Sequence, residues 1–371
     1  MKHTYREKVF SEEEVNISYH LKMANIAAVL HGANDLRVEA IPLPEIKENE
    51  VLLSMRSVGI CGSDLKYWMY GKCGKFTLEK PMIMGHEGSG MVVKIGAGVT
   101  HLKIGDRVAI EPGVPCGVCR LCKSGRYNLC QSIFFCATPP DDGNLCQFYK
   151  HPAEFCFRLP DHVTDDEGAM LEPLAVAVYS CRRGNVGLGT RLLICGAGPV
   201  GILTMLVAKQ NGATTIVITD VDDTRLALAK SLGADYPIRV MTNDPSKLAT
   251  EILDTIGDFP DVTIECCGTN FGFSTGIYAS SPGGSLVMVG RVPGGQEFPL
   301  NLAFTREIDI RGVFRYANCY PTALDLVSKG LINVKTLITH RFSIEETLKA
   351  FETASSRDSK AVKVIIQCDK N

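Results

Sequence analysis

Short apolar runs separated by glycine and proline follow residue 23: VLLSMRSVGI, then GSGMVVKIG, then GDRVAIEP. Runs of this length with turn residues between them predict a β-rich region of short strands. Near residue 175 the period changes. TRLLICGAGPVG is a β-branched run entering a glycine turn, and ILTMLVAKQNGA after it has the texture of an apolar helix. A strand TIVITD, a helix DDTRLALAKSLGA and further strands VTIECCG and SLVMVG follow. Strand alternating with helix predicts an α/β unit with a parallel sheet covered by helices on both faces. After about residue 305 the pattern is mixed again. Residues 1–23 are polar, with Glu12, Glu13 and Glu14 in a row, and read as an extension with little power to form a core.

At 371 residues the chain has room for about two domains. A hydrophobic fraction of 45% supplies a sizeable core. A net charge of -2 and a pI near 6.5 give no basic face for nucleic acid. No apolar run reaches the ~18 residues that span a membrane. The first residues lack the apolar core of a signal peptide. Fifteen cysteines without such a signal point to a reducing, cytoplasmic setting, where clustered cysteines bind metal more often than they pair.

Gly196, Gly198 and Gly201 form G-x-G-x-x-G between a predicted strand and a predicted helix. The first glycine permits a tight turn, the second lets a pyrophosphate approach the backbone, and the third lets helix and strand pack closely. The helix start offers N–H groups and a positive dipole to phosphates. Asp220 ends the next strand. A carboxylate there accepts hydrogen bonds from a ribose 2′-OH and repels a 2′-phosphate, so NAD is expected over NADP, with Arg225 a partial offset. The plainer alternative is a glycine turn in an ordinary α/β fold.

Cys116, Cys119, Cys122 and Cys130 read C-x2-C-x2-C-x7-C. Four thiolates at this spacing suit a closed, structural zinc; disulfides or free thiols are the alternative. Upstream lie Cys61-Gly62-Ser63-Asp64 and Gly85-His86-Glu87. Cys61 and His86 are ligand types for an open zinc site that needs a third donor. Glu87 follows directly, and Glu172 is a further carboxylate. Zinc stabilises an alkoxide as a Lewis acid while a nicotinamide takes the hydride. Ser63 or Tyr67 could move the proton. Other cysteines, among them Cys181, Cys195, Cys266 and Cys267, read as buried core residues.

The stretches GICGSDLKYWMYG, GHEGSG, GDRVAIEPG, SIFFCATPPDDGNL, LEPLAV, CGAGPVG, TDVDDTRL and GVFRYAN resemble the zinc-dependent medium-chain dehydrogenases, in their polyol-oxidising branch. The resemblance runs from about residue 24 to the end. It implies a GroES-like β-rich catalytic domain, residues 24–174 and 305–371, with a Rossmann domain inserted at 175–304. It implies one catalytic zinc on Cys61, His86, Glu87 and water, with Glu172 and Tyr67 near that water, and one structural zinc on the four clustered cysteines. Arg315 and Tyr316 match polyol-contacting positions. Phe76, Phe135 and Thr138 match the pocket wall. Val200, Asp220, Arg225, Val289, Gly290, Arg291, Val313, Phe314 and Arg315 match NAD contacts. Lys66 departs from the family, which often has histidine there, and this puts the proton route in question. The implied activity is reversible oxidation of a polyol such as sorbitol or xylitol to the ketose, by a homotetramer. Alternatives are action on another secondary alcohol or threonine, or a non-catalytic NAD-binding relative.

Overall fold

The computed structural model describes residues 25–291 and 297–369. The expected extension, 1–23, lies outside the described residues. The strand Glu50–Gly59 is central to a seven-stranded sheet and is buried along most of its length. Glu87–Ile95 pairs with it on one side and Lys363–Gln367 on the other, both antiparallel. Arg107–Ile110 and Cys156–Arg158 extend the first side, and Ile338–Ser343 extends the second. Stretches near both ends of the chain therefore share one sheet. A smaller three-stranded sheet joins Asp35–Ile41, Asn25–Gly32 and Met82–Ile83.

The second sheet has six parallel strands in the order Tyr236–Arg239, Thr215–Asp220, Arg191–Cys195, Val262–Glu265, Ser285–Met288, Asp309–Gly312. Strands such as Val262–Glu265 are buried on both faces, which gives their continuous apolar runs. The order reverses between Arg191–Cys195 and Val262–Glu265, and such a switch point opens a crevice at the strand C-termini. The last strand lies beyond residue 304. As an edge strand it is mostly exposed, so it lacks the apolar run that marks its neighbours.

The helix Leu171–Gly184 ties the two halves together. Its Leu171, Leu174 and Val178 share an apolar cluster with Leu192, Ile194 and Val262 of the parallel sheet. Ala109, Tyr320 and Ile365 from the β-rich half belong to the same cluster. Among the described residues no helix is long and apolar enough to cross a membrane.

Candidate active site

Strand register builds the first cluster. Gly59 and Glu87 are paired partners on antiparallel strands. Cys61 lies two residues beyond one strand end, and His86 lies just before the start of the other. The Cys61 sulfur, a His86 ring nitrogen and a Glu87 carboxylate oxygen all lie within 4.8 Å of one another. Gly85 makes the turn into His86 at φ +89°, where a Cβ would strike Leu145 at 2.7 Å. Gly59 leaves room for the Glu87 carboxylate, which a Cβ would meet at 2.1 Å.

Cys61 also caps the helix Gly62–Tyr70, its sulfur facing the backbone N–H of Asp64. Asp64 is 1% exposed and reaches both Cys61 and His86. Its Oδ2 accepts from the Cys61 N–H at 2.9 Å, and its Oδ1 lies 3.2 Å from His86 Nδ1. That second pair is close but poorly aligned for a hydrogen bond, and neither atom has another partner. A carboxylate on one ring nitrogen leaves the other free for a metal. One sulfur, one nitrogen and one oxygen, with an open side, suit zinc in a catalytic site.

Two partners of this cluster were not read from the sequence. Asp64 had a local signal, its place three residues into a capping box. Lys363 had none. Its Nζ donates to Glu87 Oε2 at 2.5 Å and to the Ile60 carbonyl at 3.2 Å, and both charged groups are 2% exposed.

The open side faces a cleft lined by Ser63, Lys66, Tyr67, Phe76, Phe135, Thr138, Glu172, Val200, Val289, Gly290, Arg291, Val313, Phe314 and Arg315. Glu172 lies in the first turn of Leu171–Gly184, and burial pushes its pKa up. Burial also raises Tyr67, to about 12, so its hydroxyl stays protonated at neutral pH. The Arg315 guanidinium sits 3.6 Å from the Phe135 ring centroid, and burial lowers its pKa to about 10. Tyr316 does not line the cleft. It is 3% exposed and adjoins Glu172, its hydroxyl without a well-formed hydrogen bond. Arg315 has φ +55°, in the left-handed region.

The nucleotide loop stands at the switch point. Gly196 has φ +104°, and a Cβ on Gly201 would lie 1.9 Å from the Gly196 carbonyl oxygen. The helix Pro199–Gln210 starts at Gly198 without a side-chain cap, leaving its first N–H groups free. Gly196, Gly198, Asp220 and Arg225 line one pocket, and Cys266 and Cys267 line both it and the cleft. Cys267 is exposed, not a core residue as its sequence setting suggested, because it follows the C-terminal end of a strand at the crevice. Asp220 Oδ2 accepts from the Ala197 N–H at 2.7 Å. Arg291 reaches across the cleft and donates to the Cys73 carbonyl at 2.5 Å.

The sulfur atoms of Cys116, Cys119, Cys122 and Cys130 form a second cluster within the same 4.8 Å limit. All fifteen cysteines are free. Backbone N–H groups of Val118 and Cys119 pull the Cys116 pKa down to about 6. Cys119 accepts from the Cys122 N–H, and Cys130 from the Cys116 N–H, each at 3.5 Å. Four sulfurs with N–H support and no free position suit a structural zinc.

Residues 47–161 match the alcohol dehydrogenase GroES-like domain, and residues 199–329 match the zinc-binding dehydrogenase domain. The chain belongs to the zinc-dependent medium-chain dehydrogenases. Within that family it is 53% identical over 350 residues to the sorbitol dehydrogenase of Rattus norvegicus, covering 94% of this chain and 98% of that one. The sorbitol dehydrogenase of Homo sapiens is 52% identical over 348 residues, covering 94% and 97%. Among solved structures, L-idonate 5-dehydrogenase from Escherichia coli matches with a TM-score of 0.85 at 30% identity, covering 93% and 98%.

Proposed function

We propose that this chain oxidises a polyol such as sorbitol or xylitol to the corresponding ketose, with NAD as the hydride acceptor, and runs the reverse reaction as well. One observation carries the reading: a sulfur, nitrogen and oxygen donor set opens onto a cleft that also meets the glycine loop. The kinship with sorbitol dehydrogenases supports the polyol. Cys61, His86 and Glu87 would hold the catalytic zinc, and Cys116, Cys119, Cys122 and Cys130 the structural one. When bound, the catalytic ion supplies Lewis-acid stabilisation of the developing charge on the alcohol oxygen.

The chain's own groups do the rest. Tyr67 donates a hydrogen bond into the cleft. Glu172, kept readily protonated by burial, can hold a proton near neutral pH. Ser63 stands at the mouth as a proton relay. Arg315 offers several donors to polyol hydroxyls, while Phe76, Phe135 and Thr138 bound the chain of the substrate. Val200, Val289, Gly290, Arg291, Val313 and Phe314 surround the nicotinamide end. Asp220 and Arg225 stand at the adenosine end, and the carboxylate favours NAD over NADP.

A panel of polyols, simple secondary alcohols and threonine, each with NAD and NADP, tests this. Turnover of sorbitol or xylitol with NAD is expected. Turnover of simple alcohols or threonine with none on polyols would overturn it. We further propose a cytoplasmic homotetramer. Free cysteines throughout suit a reducing compartment, and Phe304, 83% exposed beside the edge of the parallel sheet, suits burial by another subunit. Light scattering reads the assembly directly.

A further inference from the structure

The cysteine loop and the segment carrying Arg315 are far apart in sequence and bonded in space. Between Cys122 and Cys130 lie Gly125, Tyr127 and Asn128. Asn128 Nδ2 donates to the Phe314 carbonyl at 2.8 Å. Tyr127 Oη accepts from the Asn318 N–H at 2.8 Å and donates to Glu111 Oε1 at 2.6 Å. Asn318 Nδ2 donates to the Gly125 carbonyl at 3.0 Å. The base of the loop takes part as well. Phe134–Phe135 pairs with Gly113–Val114, and Phe135 lies under the Arg315 guanidinium.

The gripped segment is not relaxed. Arg315 and Asn318 have φ of +55° and +56°, a region that side-chain-bearing residues seldom occupy. Such backbones persist where surrounding contacts over-determine them, and they gather at functional sites. Here the loop's contacts bracket Arg315, with one bond at Phe314 before it and two at Asn318 after it, where the Arg182 guanidinium also donates to the Asn318 carbonyl at 2.7 Å. Asn128 is 2% exposed and Glu111 3%, so water is a poor substitute for either partner.

We propose that the cysteine loop is a brace for the cleft: by holding Phe314 and Asn318 it fixes the turn that presents Arg315, and so sets affinity for polyol and nicotinamide. Tyr127 and Asn128 are then positioning residues of the reaction. A metal on the four cysteines would act on catalysis through them, beyond any effect on overall stability. This inference rests on the reading of Arg315 as a polyol contact.

The test uses the full-length, zinc-loaded protein with Tyr127→Phe and Asn128→Ala. Asn128→Ala removes one such hydrogen bond and Tyr127→Phe two; each should raise the polyol KM by about fivefold or more, and the NADH dissociation constant by a similar factor, with kcat changing less. Zinc content should stay at the parent value. Values of KM and NADH affinity within about twofold of the parent, with only a lower melting temperature, would overturn the brace. Should Tyr127→Phe fail to fold, Asn318→Gly keeps the left-handed backbone and deletes only the bond to Gly125, and the same two quantities decide. Cys116→Ser should lower zinc content and raise both constants together; a loss of zinc with both constants unmoved counts against the proposal. Arg315→Met separates the two readings. If it leaves the polyol KM unchanged, the Arg315 assignment fails, and the brace is judged on NADH affinity through Phe314 alone.

Discussion

Buried carboxylates cost stability unless something answers them, and three near the cleft are answered in different ways. Glu87 has the Lys363 ammonium. Removing one partner of a buried pair leaves the other charged and unpaired, so Lys363→Met should destabilise the chain by about 3 kcal/mol, seen in the urea midpoint. Glu172 is answered by the His86 ring, the Tyr316 hydroxyl and the Lys363 ammonium, yet burial still pushes its pKa up. Glu111 accepts from Tyr127, and burial still pushes its pKa from 4.5 up to about 7. Between those pH values the folded chain binds a proton that the unfolded chain has released. Stability from this group is therefore full below pH 4.5 and is lost as pH rises through about 7. Glu111→Gln should flatten that decline by on the order of 3 kcal/mol, measured by urea unfolding at several pH values.

At the scale of single elements, the strand-turn-helix from Arg191 to Gln210 was fully readable, because its rules are local. The apolar run, the glycines and Pro199 at the helix start lie within a few residues of one another. Gly201→Ala puts a Cβ into the Gly196 carbonyl and should weaken NADH binding by at least about tenfold in a fluorescence titration. The role of Asp220 was only half readable. Its place at a strand end marked it for a ribose, yet its carboxylate also holds the Ala197 and Asp222 N–H groups. Asp220→Ser should therefore weaken NAD more than it improves NADP, as the two KM values would report. The strand Asp309–Gly312 escaped the apolar pattern because an edge position leaves most of it exposed. Tyr316 sits beside Arg315 in the motif, but it is buried next to Glu172 and is not among the residues that line the cleft.

On the scale of the whole molecule, the cleft exists because two differently built halves meet over the helix Leu171–Gly184. Arg291 crosses that cleft to the Cys73 carbonyl, a bond between residues 218 positions apart. Dialysis against a strong chelator should remove turnover and about two zinc ions per chain, and restored zinc should return the activity. Metal analysis before and after is the measurement. Activity that survives complete removal of metal would contradict the role given to Cys61, His86 and Glu87.

Features that depend on near neighbours are legible in the chain alone: the glycine loop, the clustered cysteines, His86 beside Glu87, and the change from β-rich to alternating texture. Periodicity and short-range spacing carry such features, since backbone geometry alone converts them into shape. The meeting of Lys363 with Glu87 across 276 positions, and of Asn128 with Phe314 across 186, exists only once the chain is folded. Those contacts follow from strand register and from the packing of distant segments, and no local pattern encodes either.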